Sequence, residues 1–175
     1  AAAEPLTDYD GNYYQTVVTG NQEWMAENLR VTHYADGTPI ANVEGSIQWN
    51  NLIETDKAYC WFNNDSASNA EKYGVLYTWS AAMNGAASSN SDPSGVQGVC
   101  PDGWHLPSDA EWTELEMYLG MCESEANLTY EVRGTNEGSK LAGNEYLWQD
   151  GNLENNTEFG TSGFTALPGG TRYND

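Results

Sequence analysis

Positive charge is what this sequence has least of: six Lys and Arg stand against 26 Asp and Glu in 175 residues, a formal net charge of −20. A surface of that sign repels phosphate backbones and anionic lipid headgroups, which excludes nucleic-acid binding and argues against docking on membranes. No apolar run approaches the roughly 18 residues of a membrane span, so helical insertion is excluded as well. Histidine is scarce too. His33 and His105 are the only two, neither stands at zinc-site spacing from a cysteine, and C-x-x-C does not occur, so neither a structural zinc nor any other bound cofactor is expected, calcium excepted. Cysteine is limited to Cys60, Cys100 and Cys122, an odd set that leaves one thiol over whichever two pair. Cys100 and Cys122 flank a predicted helix, whose rise of about 1.5 Å per residue parts its ends by more than the roughly 7 Å a disulfide spans, so those two join only if the chain folds back. The pairing stays open.

What is abundant is aromatic surface and carboxylate. Seven Trp and eleven Tyr supply large rings with polar tips, suited to a fold whose irregular loops leave wide gaps to bridge. Carboxylates are so numerous that a glycosidase-like pair carries no information. The length fits one domain, and no linker composition divides it. The chain opens Ala1-Ala2-Ala3-Glu4-Pro5 without an initiator Met, as after signal-peptide removal, so a secreted protein is expected.

The most legible stretch is Gly98 to Gly120. Pro101, Asp102 and Gly103 predict a turn, and Trp104 and Leu106 then share one face of a short strand with His105 on the other. Ser108 stands three residues before Glu111, the S-x-x-E spacing of a capping box. Trp112, Leu115 and Leu119 follow at i, i+3 and i+7 as one apolar stripe, with Glu111, Glu114 and Glu116 largely off it, and Gly120 ends the helix. His105, alternating with core-facing neighbours, reads as a structural residue rather than a general base. His33 has no recognisable partner.

Taken in order, Tyr13 to Thr19 and Gln22 to Leu29 predict a hairpin about the Gly20-Asn21 turn, with Trp24 and Ala26 on one face. Residues 33–56 read mostly as loop. Tyr59 to Phe62 is a short aromatic strand running into Asn63, Asn64 and Asp65, a polar turn whose side-chain oxygens are candidate calcium ligands, although the fixed spacing of an EF-hand is missing. Val75, Leu76, Trp79, Ala82 and Met83 form a helical stripe within Tyr73 to Met83, and Asn84-Gly85 stops it. Ala86 to Gly98 is a small-residue loop open to disorder or proteolysis. Ser139 to Leu141 predicts one short turn. Asn144 to Thr161 is a long loop carrying Tyr146, Trp148, Asp150, Asn152 and Glu154, an aromatic and carboxylate mixture suited to hydrogen-bonding hydroxyls, hence the candidate ligand-binding residues. Phe164 to Leu167 reads as a final strand.

Several of these pieces together resemble one family. GWHLPSDAEWTEL, GNQEWMAENLR, YCWFNND, YGVLYTWSAAM, GTNEGSKLAG and SGFTALPGG are similar, in order, to the Fibrobacter succinogenes major paralogous domain, a bacterial secreted and surface family. LPSDAEW resembles, more distantly, a motif of formylglycine-generating enzymes and C-type-lectin-like folds. The resemblance implies an α+β, C-type-lectin-like fold: two main helices packed on short antiparallel sheets, with long irregular loops, and no defined activity. The late cysteine pair of the formylglycine-generating enzymes has no counterpart after Cys122, and the E-P-N motif of calcium-dependent lectins is absent. The expected function is therefore a non-enzymatic, extracellular or cell-surface domain for adhesion or for binding a ligand such as a glycan. In the family SGFxALPGGxR leads into further strands, whereas this sequence stops soon after Gly170. That departure raises the alternatives of a fragment, or of a filament subunit, a homo-oligomer or a domain completed by a strand from a partner chain, and it predicts an isolated chain that associates.

Overall fold

The structure, a computed structural model, describes residues 6–129 and 132–173. It is a mixed α+β arrangement of three small sheets and short helices. Strands β1 (Leu6–Thr7) and β2 (Tyr13–Tyr14) pair antiparallel, and β3 (Thr16–Thr19) pairs antiparallel with β4 (Gln22–Met25). The Gly20-Asn21 turn forms as expected, Gly20 taking the positive φ of 64° that a two-residue hairpin needs.

Residues 33–56 are less irregular than their sequence suggests. They contain β5 (Ala41–Asn42) and α1 (Ser46–Asn50), and Trp49 of α1 is buried. Strand β6 (Ala58–Trp61) is the centre of the third sheet, parallel to β5 on one side and antiparallel to β7 (Val75–Tyr77) on the other. Its unbroken apolar run follows from that position, since a central strand covered on both faces has no solvent side to furnish. Val31, Tyr34, Ile40, Tyr59, Val75, Ala81 and Val99 form the main core; Trp49, Ala58 and Cys60 form a second cluster.

The helix expected over Tyr73 to Met83 is instead a strand and a short helix, β7 followed by α3 (Trp79–Met83). Apolar residues at helical spacing were satisfied differently: Val75 and Leu76 lie opposite Trp61 and Cys60 in the sheet, and Thr78 caps α3 by accepting the Ala81 amide at 3.2 Å. The helix preceding it, α2 (Ser66–Tyr73), begins in what reads as a polar turn, because Asp65 accepts the Ser68 amide at 3.1 Å as an N-cap. Gly74 separates α2 from β7 at φ 64°, and a Cβ there would lie 2.4 Å from the Leu29 carbonyl oxygen, which accepts the Val75 amide.

Helix α4 (Asp109–Tyr118) has the expected cap, with Leu115 fully buried and Leu119 nearly so. No regular strand leads directly into it. Trp104, His105 and Leu106 are all half-buried in an extended segment anchored by the Leu106 amide on the Val96 carbonyl at 2.8 Å, so they do not alternate between two faces. The loop before it is packed at its far end, where Ser94 and Val96 are buried. Beyond α4 come α5 (Glu123–Ala126), α6 (Glu137–Leu141) and a 3₁₀ turn over Glu145–Leu147. The expected last strand, Phe164 to Leu167, is reduced to one parallel bridge between Ala142 and Ala166, because Thr165 takes a φ of 58° that no β-strand can continue through.

Candidate functional site

Hairpin register decides what β4 offers. Ala26 donates to the Gln15 carbonyl at 2.9 Å, in line with the pairing of Val17 with Trp24 and Thr19 with Gln22, so the hydrogen-bonded positions of β4 are Gln22 and Trp24. Glu23 and Met25 therefore direct their backbone N–H and C=O groups away from β3. Along that side runs a groove of about 670 Å3, lined by residues 21–29, by Trp104 to Pro107 with Glu111 and Trp112, and by Phe164 to Ala166. Consecutive β4 residues all line it, which places the groove at the strand's edge rather than over a face.

Three rings gather there from positions far apart in the chain. Trp24 lies 4.8 Å from Trp112 and 5.6 Å from Phe164, centroid to centroid, and Trp112 lies 5.9 Å from Phe164, all tilted. Such contacts add about 0.5–1.5 kcal/mol each beyond area burial. Gln22 ties the hairpin to α4 by donating Nε2 to the Glu111 carbonyl at 3.0 Å, and Thr165 ties its segment to the hairpin by donating its hydroxyl to the Ala26 carbonyl.

Glu111 organises another part of the lining. One carboxylate oxygen accepts the Ser108 amide at 2.8 Å and the Ser94 amide at 3.2 Å; the other meets His105 Nε2 at 2.6 Å. Burial disfavours the charged carboxylate, but the Ser108 amide and the hydrogen bond and charge of His105, with the Ser94 amide, outweigh it and hold the group below its ordinary range. The helix register puts Glu111 off the apolar stripe; it is buried all the same, because the capping box turns it inward. Cys100 also lines the groove, and burial pushes its thiol up to about 12, which leaves essentially no thiolate nucleophile at neutral pH. All three cysteines are free, Cys60 and Cys100 buried and Cys122 exposed.

The residues singled out in the 144–156 loop lie elsewhere. Tyr146 is almost wholly exposed; Trp148 turns inward and donates its indole N–H to the Gly143 carbonyl at 2.9 Å. Asp150 and Glu154 both accept from the Asn155 side chain at 2.9 Å, Asn152 is exposed, and none of the five lines the groove. Of the calcium candidates, Asp65 caps α2, while Asn63 and Asn64 line a smaller recess of about 370 Å3. There Asn64 Oδ1 accepts from Arg172 at 2.7 Å, so a guanidinium already faces that oxygen, and Arg172 also lies 4.8 Å over the Trp49 ring. His33 bonds Asp10 at 2.6 Å on an exposed loop, and Thr32 donates to the same carboxylate.

Trp24, Trp112 and Phe164 were readable only as hairpin, helix and strand residues. Nothing local in the sequence links positions 24, 112 and 164; only the tertiary fold brings them to one groove.

The chain matches the Fibrobacter succinogenes major domain over residues 17–175, and it belongs to that family. No curated protein and no solved structure matches it significantly.

Proposed function

We propose that this Fibrobacter succinogenes major domain is a non-enzymatic binding domain, displayed outside the cell, whose ligand seat is the groove along β4. The observation that carries the reading is the Trp24, Trp112 and Phe164 cluster, a predominantly apolar wall left open to solvent in a groove whose volume falls within the roughly 300–1,000 Å3 of ordinary ligand sites. Nucleophilic catalysis through the groove's one thiol is disfavoured, since burial keeps Cys100 protonated. A C-type-lectin-like arrangement belongs to the same proposal. It rests on the motif resemblance, and on small sheets flanked by helices with long connecting loops.

The test is titration of the whole chain with soluble oligosaccharides and with peptides, read by intrinsic tryptophan fluorescence, alongside the Trp24→Phe variant. Saturable quenching or enhancement that Trp24→Phe weakens supports the seat. Binding that the variant leaves untouched, or no saturable response to any probe, contradicts it.

A further inference from the structure

We infer that the groove takes an extended polypeptide segment carrying Lys or Arg among apolar residues, bound as an added strand on β4; this rests on the groove being the ligand seat and names its ligand class. Two observations meet here. The first is the free edge: the Glu23 and Met25 amides and carbonyls point into the groove, and among the described residues neither amide donates to another group of the protein. Backbone pairing of this kind supplies affinity that does not depend on the partner's side chains, while flanking pockets read alternate residues. Trp24, beside the edge, would receive the apolar side chains together with Trp112.

The second observation is charge. Glu23, Glu27, Asp92 and Glu111 line the groove, and among the described residues no Lys or Arg does. Glu111 is committed to the α4 cap and Glu27 to Arg30 at 3.0 Å, but among the described residues the exposed Asp92 has no hydrogen-bond partner and Glu23 accepts only the Thr16 hydroxyl, at 2.7 Å. An acidic strand entering here would meet like charge; a cationic one would meet complementary charge at the rim, where it governs partner choice and association rate. The same reasoning disfavours a second copy of this chain, which holds six basic residues in all at a net charge of −20. A sugar would use the rings but would leave the paired geometry of the strand amides unexplained.

The experiment uses the full chain and three probes: an alternating Lys-Val peptide of about eight residues, the usual span of a strand, its Glu-Val counterpart, and a β-1,4-linked gluco-oligosaccharide. Binding is followed by tryptophan fluorescence and by amide hydrogen exchange. The expected result is saturable binding of the Lys-Val peptide alone, with slowed exchange at Glu23 and Met25. Met25→Pro removes an outward donor without touching the β3–β4 ladder, since proline is tolerated on a strand edge, and should weaken binding about tenfold, the loss of one well-made hydrogen bond. Should Met25→Pro fail to fold, Glu23→Gln and Asp92→Asn carry the test: each should weaken the Lys-Val peptide several-fold while leaving the melting curve in place. Lys-Val binding without protection of the two amides is non-specific attraction to an acidic protein and overturns the inference. Oligosaccharide binding at the tryptophans overturns it but leaves the groove as the seat. Self-association protecting the same amides overturns it in favour of a second copy. No response at Trp24 from any probe removes both readings.

Discussion

Glu111 Oε1 meets His105 Nε2 at 2.6 Å, while its other oxygen accepts the Ser108 amide, so one buried carboxylate starts α4 and fixes part of the groove's lining. Its carboxyl is held below the ordinary range in the folded chain. A depressed folded pKa contributes stability that is fully present above the unfolded value and is lost as pH falls through the folded one. Glu111→Gln should therefore melt below the parent at neutral pH, and the gap should narrow as pH drops beneath about 4, the ordinary carboxylate range. Thermal melts across that window check it; a gap independent of pH would mean that the charge on Glu111 contributes nothing.

Truncating Trp112 should cost more than removing the helix cap. Trp112 is half-buried against Trp24 and Phe164, so Trp112→Ala should destabilise by about 3 kcal/mol, the low end for large aromatic truncations. Ser108→Ala loses one cap bond, at about 1 kcal/mol. Denaturant melts give the order, and a worse cap mutant would contradict this packing.

Two glycines with similar φ should respond very differently to alanine. Gly85 at φ 81° has no atom within 4 Å of a built Cβ, so Gly85→Ala carries only the left-handed backbone penalty of about 1 kcal/mol. Gly74→Ala adds a Cβ at 2.4 Å from the Leu29 oxygen and would push apart the Val75–Leu29 bond that holds β7 to the chain before Val31. It should be the more damaging by a clear margin in thermal melts. Equal losses would show that this close approach is absent in solution.

Cysteine accessibility is equally checkable. A thiol reagent should label Cys122 in the native protein and reach Cys60 and Cys100 only on unfolding, since both are buried and Cys100 is pushed up to about 12. Rapid native labelling at Cys100 would mean that the groove floor opens far more than its packing implies.

Capped or turn-defined elements were legible in the sequence, and the rest was not, for physical reasons. The Ser108 to Glu111 spacing and the Gly20-Asn21 turn are local signals, and both formed as read. Val75 and Leu76 misled because adjacent apolar residues suit a strand packed on both faces as well as a helix, and pairing with β6 overrode the helical period. Asp65 read as a turn residue because an Asx turn and a helix N-cap begin with the same side-chain bond. The groove itself depends on residues 24, 112 and 164 meeting, which no local pattern records. The loop from 144 to 156 drew attention through composition, yet Asp150 and Glu154 bond within the loop and Trp148 turns to Gly143.

The most direct test separates those two places. Indole N–H resonances of the individual tryptophans can be followed while the Lys-Val peptide or the gluco-oligosaccharide is added to the labelled chain. The groove account predicts that Trp24 and Trp112 shift saturably and together, with Trp148 unmoved. Movement of Trp148 with Trp24 and Trp112 silent would place binding on the 144–156 loop and contradict it.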